Sequence, residues 1–197
     1  WMEESERLRF YKRFLKQILK RKPHTLLAEQ EEMLARAEEM GQAPYQIYSM
    51  FHNADLSFGT VKDENGDEVT LSIGRFVAME EKNDRRVRKE AFEVFYRSYE
   101  NFKNTLAAVF DANVRQAVFF AREHRYHSSI EYYLDGSSIP VSVYDQLIRV
   151  IDEKMPLMYR YVSLRKKMLH LDEMHMYDVY VPLAANVQRE YTFQEAK

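Results

Sequence analysis

The sequence predicts a mainly α-helical protein: a long-helix bundle with one small β-hairpin insertion. Only 5 Gly and 5 Pro occur among 197 residues, and 30% of the residues are charged. This composition favours long helices over a sheet of many strands. Apolar residues recur at spacings of three and four along most of the chain, which is the helical period. Because 46% of the residues are hydrophobic, the chain can bury one sizeable core or two small ones.

The N-terminal part predicts three helices. Residues 5–20 place apolar side chains on one face and Arg and Lys on the other, as in an amphipathic helix. Pro23 ends this helix, and Thr25 is a suitable cap for a second helix that stops near Gly41. The two helices are expected to form a hairpin. Pro44 suits the first turn of a third, short helix.

The middle of the chain predicts a β-hairpin followed by a very long helical stretch. Two β-prone runs, 58–61 and 69–73, flank an acidic turn that contains Asn65-Gly66, a strong hairpin signal. After Asp84, a suitable cap, neither Gly nor Pro occurs until about residue 123. This stretch predicts either one helix of about 40 residues or two nearly collinear ones.

The next elements are helices with clear start signals. Ser128 and Glu131 have the spacing of a capping box, which predicts a short helix. Pro140 begins another long helix over roughly residues 141–169. Pro156 lies inside it and is expected to kink it, because proline lacks a backbone N–H.

The last residues differ from the rest. Residues 176–183 alternate aromatic and aliphatic side chains and have strand character. Thr192 and Glu195 form a second capping-box pattern, which predicts the start of a helix. Because this pattern stands next to the end of the sequence, and because Trp1 stands in first position, we expect the chain to be a piece of a longer protein.

Composition also narrows the function classes. The 29 basic and 31 acidic residues nearly cancel, so the chain has no overall field that would attract nucleic acid or an anionic membrane. Residues 7–22 are nevertheless strongly basic and the second helix is acidic. Pairing of these two helices is favoured over a nucleic-acid surface. The absence of Cys excludes disulfides, Cys-based zinc sites and thiol catalysis, and it fits a reducing cytoplasm.

No complete active site is evident in the sequence. There is no HExxH motif, no nucleophile elbow and no glycine-rich phosphate loop. His124 and His127 lie three residues apart where the long helix should end, which is more typical of a solvated helix terminus than of a metal site. The loop from His170 to His175 contains two imidazoles and two carboxylates, and it could bind a metal, but its geometry is not fixed by the sequence.

Several segments together resemble the oligoendopeptidase F branch of the thimet-type zinc metallopeptidases. The resemblance spans nearly the whole chain. The segments that carry it are 53–56, 61–66, 84–92, 104–108 and 171–183. In that family such a stretch is the largely helical N-terminal half, and the HExxH helix lies beyond residue 197.

The resemblance implies a cytoplasmic peptidase that hydrolyses oligopeptides and uses zinc, with no zinc expected on this chain. It divides the chain into an N-terminal helical region (1–57), the hairpin (58–74), a long-helix region (75–175) and the start of a truncated catalytic domain (176–197). Tyr177, Asp178 and Tyr180 are expected to line the substrate channel or the interdomain face. That face would lack its cover, so self-association is expected.

A second hypothesis keeps a different class open: a stand-alone helical interaction module without catalytic activity, which binds a partner through its basic first helix or its exposed face. A third is a metal-binding protein that uses the loop from His170 to His175. No binding to nucleic acid or to a membrane is expected under the favoured reading.

Overall fold

The computed structural model describes residues 6–183 and 194–195, and helices account for most of them. The chain divides into two compact units. The first combines the residues up to Ala54 with Asn104–Arg149, and the second combines Asp55–Lys103 with the residues from Val150 onward. The mainly helical fold with a single two-stranded hairpin, predicted from composition and periodicity, is confirmed for the described residues. Thr192, half of the second predicted capping box, lies outside them.

The first unit begins with short helices joined by tight turns. They are α1 (Glu6–Phe10), α2 (Lys12–Arg21), a 3-10 turn (Lys22–His24), α3 (Ala28–Gly41), α4 (Ala43–Met50) and a π turn (Phe51–Asp55). The predicted first helix is therefore interrupted, at Tyr11. Its apolar face is present but largely open to solvent, since Phe14 is 61% and Ile18 51% exposed.

Three charged residues of α2 and α3 pair with groups outside the opposite helix. Lys20 Nζ lies 2.6 Å from Asp135 Oδ1. On α3, Glu32 pairs with Arg36 one turn away, and Glu31 faces His124. These three pairs differ from the predicted matching of the basic helix to the acidic one, because nearer partners are available to these charges.

The first unit continues through α7 (Lys103–Glu123) and α8 (Ser129–Asp135) into α9 (Val141–Met168). Ser128 caps α8 as predicted, since its Oγ accepts from the N–H of Glu131 at 3.2 Å. The Glu131 carboxylate accepts from the N–H of His127 at 2.9 Å, one residue earlier than a standard capping box requires. Helix α9 continues through Pro156 and ends one residue before the predicted end.

The second unit contains the hairpin, with β1 (Thr60–Lys62) antiparallel to β2 (Glu68–Thr70). Asp63 closes the turn, because its Oδ1 accepts from the N–H groups of Asn65 at 2.8 Å and of Asp67 at 2.9 Å. Gly66 has φ of 90° in this turn. Residues that carry a side chain rarely adopt this backbone conformation, which accounts for glycine at this position.

Replacing Gly66 with alanine is expected to lower the free energy of unfolding by about 1 kcal/mol, because alanine pays a steric cost at positive φ. Gly74 offers a matched control, since it lies inside a helix and no atom lies within 4 Å of an added Cβ. Gly74→Ala should stabilise by about 0.5 to 1 kcal/mol. Urea denaturation followed by circular dichroism measures both. Equal effects of the two substitutions would contradict the assigned turn.

Two helices follow the hairpin, α5 (Ile73–Glu80) and α6 (Arg85–Glu100). The expectation of a strand up to residue 73 is wrong, because Ser72 caps α5 by accepting from the N–H of Arg75 at 3.3 Å. Asp84 caps α6 as predicted, at 2.8 Å from the N–H of Arg86. The long stretch after it is two helices, with a break at residues 101 and 102.

The core of the second unit lies between α6, α5 and the hairpin. Its buried hydrophobic side chains are Val61, Leu71, Met79, Val87, Ala91 and Phe95. The ring of Phe95 stacks on those of Phe58 and Phe76, with centroids 4.5 and 4.0 Å away. The ring of Phe95 on α6 is therefore part of the core of this unit.

The strand expected at residues 176–183 is wrong. Met176–Asp178 forms a 3-10 turn, and bends follow it. The aromatic and aliphatic alternation suits a strand, but the carboxylate of Asp178 bends the backbone back by accepting from the N–H of His175 at 3.0 Å. This turn carries the candidate site.

Candidate functional site

Asp178 lies at the centre of a buried charge cluster in the second unit. Its side chain is fully buried. Oδ1 accepts from Arg85 Nε at 3.1 Å and from Arg88 Nη2 at 2.9 Å. Oδ2 accepts from Arg85 Nη2 at 2.9 Å and from the N–H of His175 at 3.0 Å. Because a carboxylate has about four acceptor positions, the hydrogen-bonding capacity of Asp178 is filled.

Arg88 joins this carboxylate to the rest of α6. The side chain is 2% exposed. Its Nε donates to the carbonyl of Tyr177 at 2.9 Å. Its Nη1 donates to the carbonyls of Lys82 at 2.7 Å and Asn83 at 2.9 Å, in the turn between α5 and α6. One guanidinium therefore holds the 3-10 turn, the turn before α6 and the carboxylate together.

Arg165 holds the same segment from α9. Its Nη2 donates to the carbonyls of Asp178 at 3.2 Å and of Val181 at 2.6 Å, and its Nη1 contacts the Tyr161 hydroxyl. Arg165 is 5% exposed. Among the described residues, its Nε has no hydrogen-bond partner. Arg165 therefore fixes two backbone carbonyls of this segment, while Arg85 and Arg88 fix the side-chain carboxylate of Asp178.

Glu80 lies at the C-terminal end of α5. Unlike Asp178, it accepts no hydrogen bond from an arginine of the described residues. It is 2% exposed, and its Oε1 has no hydrogen-bond partner in the described part of the chain. Burial raises the pKa of Glu80 to about 7, although Arg88 opposes this and Asp178 adds to it. This carboxyl therefore keeps its proton to a higher pH than an exposed glutamate does.

Asp178 shows the opposite balance. Burial by itself raises the pKa of Asp178, but the hydrogen bonds donated by Arg85 and Arg88 outweigh it and lower the pKa to about 2. The two carboxyls therefore differ in charge near neutral pH, and the partners that each of them finds decide the difference.

The cluster is suited to holding a segment in place. A carboxylate with every acceptor position filled cannot act as a nucleophile, as a base or as a metal ligand without losing an arginine. Within residues 6–183 and 194–195, no group of three or more His, Cys, Asp or Glu side chains could hold a metal ion. The loop from His170 to His175 therefore supplies no such group, and the residues of the cluster do not fit a metal.

The three residues singled out from the sequence have different surroundings. Tyr177 is 8% exposed and Asp178 is buried, whereas Tyr180 is 63% exposed. The expectation that this segment lacks cover is wrong for Tyr177, which stacks on His175 at 5.0 Å between ring centroids. Asp178 lies at the centre of the cluster, and Tyr177 contributes its backbone carbonyl to it. Tyr180 lies outside the cluster.

The basic partners of Asp178 were missed by sequence reasoning. Arg85 and Asp178 are 93 residues apart, and Arg88 and Asp178 are 90 apart. No local spacing links residues at such a distance. The one available signal was the run 85–88, with three arginines at the start of a helix, where a basic residue opposes the helix dipole and therefore needs another partner.

Comparison with known proteins places the chain among peptidases. The family model described as Oligopeptidase F matches residues 1–58, and the model described as Peptidase family M3 matches residues 78–197. Oligopeptidase PepF of Bacillus subtilis is 40% identical over 98% of this chain and 29% of its own length. Group B oligopeptidase PepB of Streptococcus agalactiae is 40% identical over 98% of this chain and 32% of its own.

Solved structures agree. The crystal structure of oligoendopeptidase-F from Enterococcus faecium has a TM-score of 0.86 and 40% identity, over 92% of this chain and 35% of that one. A putative peptidase from Chlamydophila abortus has a TM-score of 0.90 and 29% identity, over 98% and 32%. The chain thus spans about a third of the length of the relatives it matches.

Proposed function

Since the chain belongs to peptidase family M3, we propose that it works as the helical N-terminal portion of a cytoplasmic, oligoendopeptidase F-like zinc metallopeptidase that hydrolyses oligopeptides. One observation carries the proposal: 40% identity to an oligopeptidase extends over 98% of this chain. The resemblance carried by segments such as 84–92 and 171–183 points to the same family. No helix among the described residues is long and apolar enough to cross a membrane.

We propose that the catalytic chemistry is supplied outside this chain. In the family, both His of HExxH and a later Glu bind the zinc, and the chain has no HExxH. The donor set of the Asp178 cluster does not fit zinc either. The contribution of this chain is then to position the segment at 176–183, where a catalytic region would begin. Oligopeptides are the partners, and self-association stays a prediction.

The three candidate residues, Tyr177, Asp178 and Tyr180, have two different proposed roles. Tyr177 and Asp178 hold the segment by contacts inside the chain, so we propose them as positioning residues at the channel or interdomain boundary. Met176 in the anchored turn is 66% exposed, and Tyr180, two residues after the turn, is 63% exposed. Their side chains are free to contact a peptide or another part of the enzyme.

The purified chain is expected to hydrolyse no quenched fluorescent oligopeptide, with or without added zinc. The physical reason is that peptide hydrolysis by a zinc ion needs three protein ligands and an open position, and the described residues offer no such set. The oligoendopeptidase-F of Enterococcus faecium serves as the positive control. Zinc-dependent turnover that copurifies with the chain through several columns would contradict the proposal that the catalytic chemistry is supplied outside this chain.

A further inference from the structure

A second polar site lies in the first unit, in a cavity of about 530 Å³ between the end of α2, α3 and α8. Six of the side chains that line it determine which ligands it can bind. They are Arg21, His24, Glu31, His124, Tyr126 and Tyr132. Such a volume is typical of small-molecule pockets. Nothing in the proposed function assigns a role to this cavity.

Backbone carbonyls fix the proton positions of both histidines. His24 Nδ1 lies 2.9 Å from the carbonyl oxygen of His124, and His124 Nδ1 lies 2.8 Å from that of Phe120. A carbonyl oxygen only accepts, so each Nδ1 carries a hydrogen. In the neutral imidazoles each Nε2 is therefore an acceptor, with its lone pair available to a ligand.

Glu31 supplies a second acceptor beside one of these nitrogens. Its Oε1 accepts from the N–H of Leu26 at 2.7 Å, which fixes the carboxylate. Its Oε2 accepts no hydrogen bond from any described residue and lies 3.8 Å from His124 Nε2. Two acceptors at this separation can share one donor group placed about 2.8 Å from each. A primary ammonium, which has three donors and no acceptor, fits that position.

Arg21 provides the opposite charge. Its side chain is exposed at the cavity, and within residues 6–183 and 194–195 no carboxylate pairs with it. The other acid of the cavity, Asp135, is already neutralised, because Lys20 Nζ lies 2.6 Å away and the Tyr126 hydroxyl donates to it at 3.0 Å. One guanidinium and one carboxylate therefore remain for a ligand.

Aromatic side chains of the cavity lining are held in place by ring contacts. His24 stacks on Tyr126 with ring centroids 3.7 Å apart and planes 5° apart. Tyr132 meets Tyr126 edge-on at 5.4 Å and lies 5.8 Å from the ring of His124. Rings arranged in this way offer both faces and edges to a further ring.

We propose that this cavity binds a free aromatic amino acid or a short peptide with an aromatic N-terminal residue. Glu31 and His124 Nε2 hold the α-ammonium, Arg21 holds the carboxylate, and Tyr126 and Tyr132 hold the ring. The binding chemistry follows from the cavity alone. The identification of the ligand as a product or substrate of peptide hydrolysis rests on the proposed function.

Titration calorimetry with L-phenylalanylglycine on the 197-residue chain tests the proposal. Binding is expected with a Kd of about 1 mM or tighter. N-acetylation of the dipeptide removes the ammonium and should weaken binding at least about tenfold. Glycylglycine, which lacks the ring, should bind about as weakly. No detectable binding of the unmodified dipeptide at about 10 mM, or equal binding of its acetylated form, overturns the proposal.

Residues of the same charge on the same helices, α2 and α3, give matched control variants. Glu31→Gln and Arg21→Gln should each weaken binding about tenfold, because a charged hydrogen bond is lost. Gln keeps an acceptor for Leu26, so the start of α3 is preserved. Glu32→Gln and Arg13→Gln, exposed residues outside the cavity, should change the Kd less than about twofold. Equal effects of Glu31→Gln and Glu32→Gln would overturn the site. Since no hydrolysis is measured, the outcome is independent of the proposed catalytic role.

Discussion

Asp178→Ala is expected to lower the free energy of unfolding by about 3 to 5 kcal/mol, the usual cost of leaving a buried charge without its partner. Arg88 is 2% exposed, and without Asp178 it would keep its positive charge inside the protein with no carboxylate accepting its hydrogen bonds. Arg85, which is partly exposed, can turn toward water and contributes less. Urea denaturation followed by circular dichroism measures the change.

Asp172→Ala is the matched control for this substitution. Asp172 precedes Asp178 by six residues, and its side chain is exposed. Its replacement should change stability by less than about 0.5 kcal/mol. Hydrogen exchange adds a local readout, because the backbone of residues 176–181 should lose protection in Asp178→Ala. Equal stability of the two variants would show that the arginines are satisfied without Asp178.

Glu80→Gln is expected to stabilise the protein above pH 7 and to leave it nearly unchanged at pH 4.5. The pKa of Glu80 is raised by burial from 4.5 to about 7 in the folded protein. Its contribution is therefore fully present below pH 4.5 and is lost as the pH rises through about 7. The full shift corresponds to about 3 kcal/mol, as an upper value. Gln removes the ionisation and with it this loss.

Glu81→Gln is the control, since Glu81 is the next residue and its side chain is exposed. It should give a melting temperature that tracks that of the natural sequence at every pH between 4.5 and 8.5. Asp178 contributes with the opposite sign. Its pKa is lowered from 3.8 to about 2, so its stabilisation is present above pH 3.8 and is lost as the pH falls through about 2. A pH-independent stability difference between Glu80→Gln and the natural sequence would contradict a raised pKa of the buried Glu80.

The helical elements could be predicted wherever a short local rule decides them. Asp84 and Ser128 cap their helices as the sequence indicated, because a cap depends on neighbours two or three residues away. The helix α5 was missed, because the β-prone run up to residue 73 hid the cap at Ser72. Local patterns compete at such boundaries, and the stronger signal in the sequence is not always the one that the packing favours.

The candidate site could be predicted only in part. Tyr177 and Asp178 were singled out through the family resemblance as residues of the substrate channel or interdomain face, and that role stays a prediction. The strand expected at residues 176–183 was wrong. The alternation of aromatic and aliphatic residues indicates which side chains are apolar, but it does not show that the Asp178 carboxylate pairs with arginines distant in the sequence. Arg88 and Arg165 come from two helices that are far apart in the sequence. Their convergence is a property of the fold, which no spacing rule contains.

The interleaving of the two compact units has a consequence for synthesis on the ribosome. The second unit needs Asp55–Lys103 and the residues after Arg149, so it cannot close until its last segment has been made. Until Asp178 emerges, Arg85 and Arg88 lack the carboxylate that accepts their hydrogen bonds in the folded protein. The first unit is complete in sequence at Arg149 and can fold earlier. A nascent chain that stalls between these two points would present a folded first unit and an open second one, a form that chaperones and proteases can distinguish from a chain in which both units are folded.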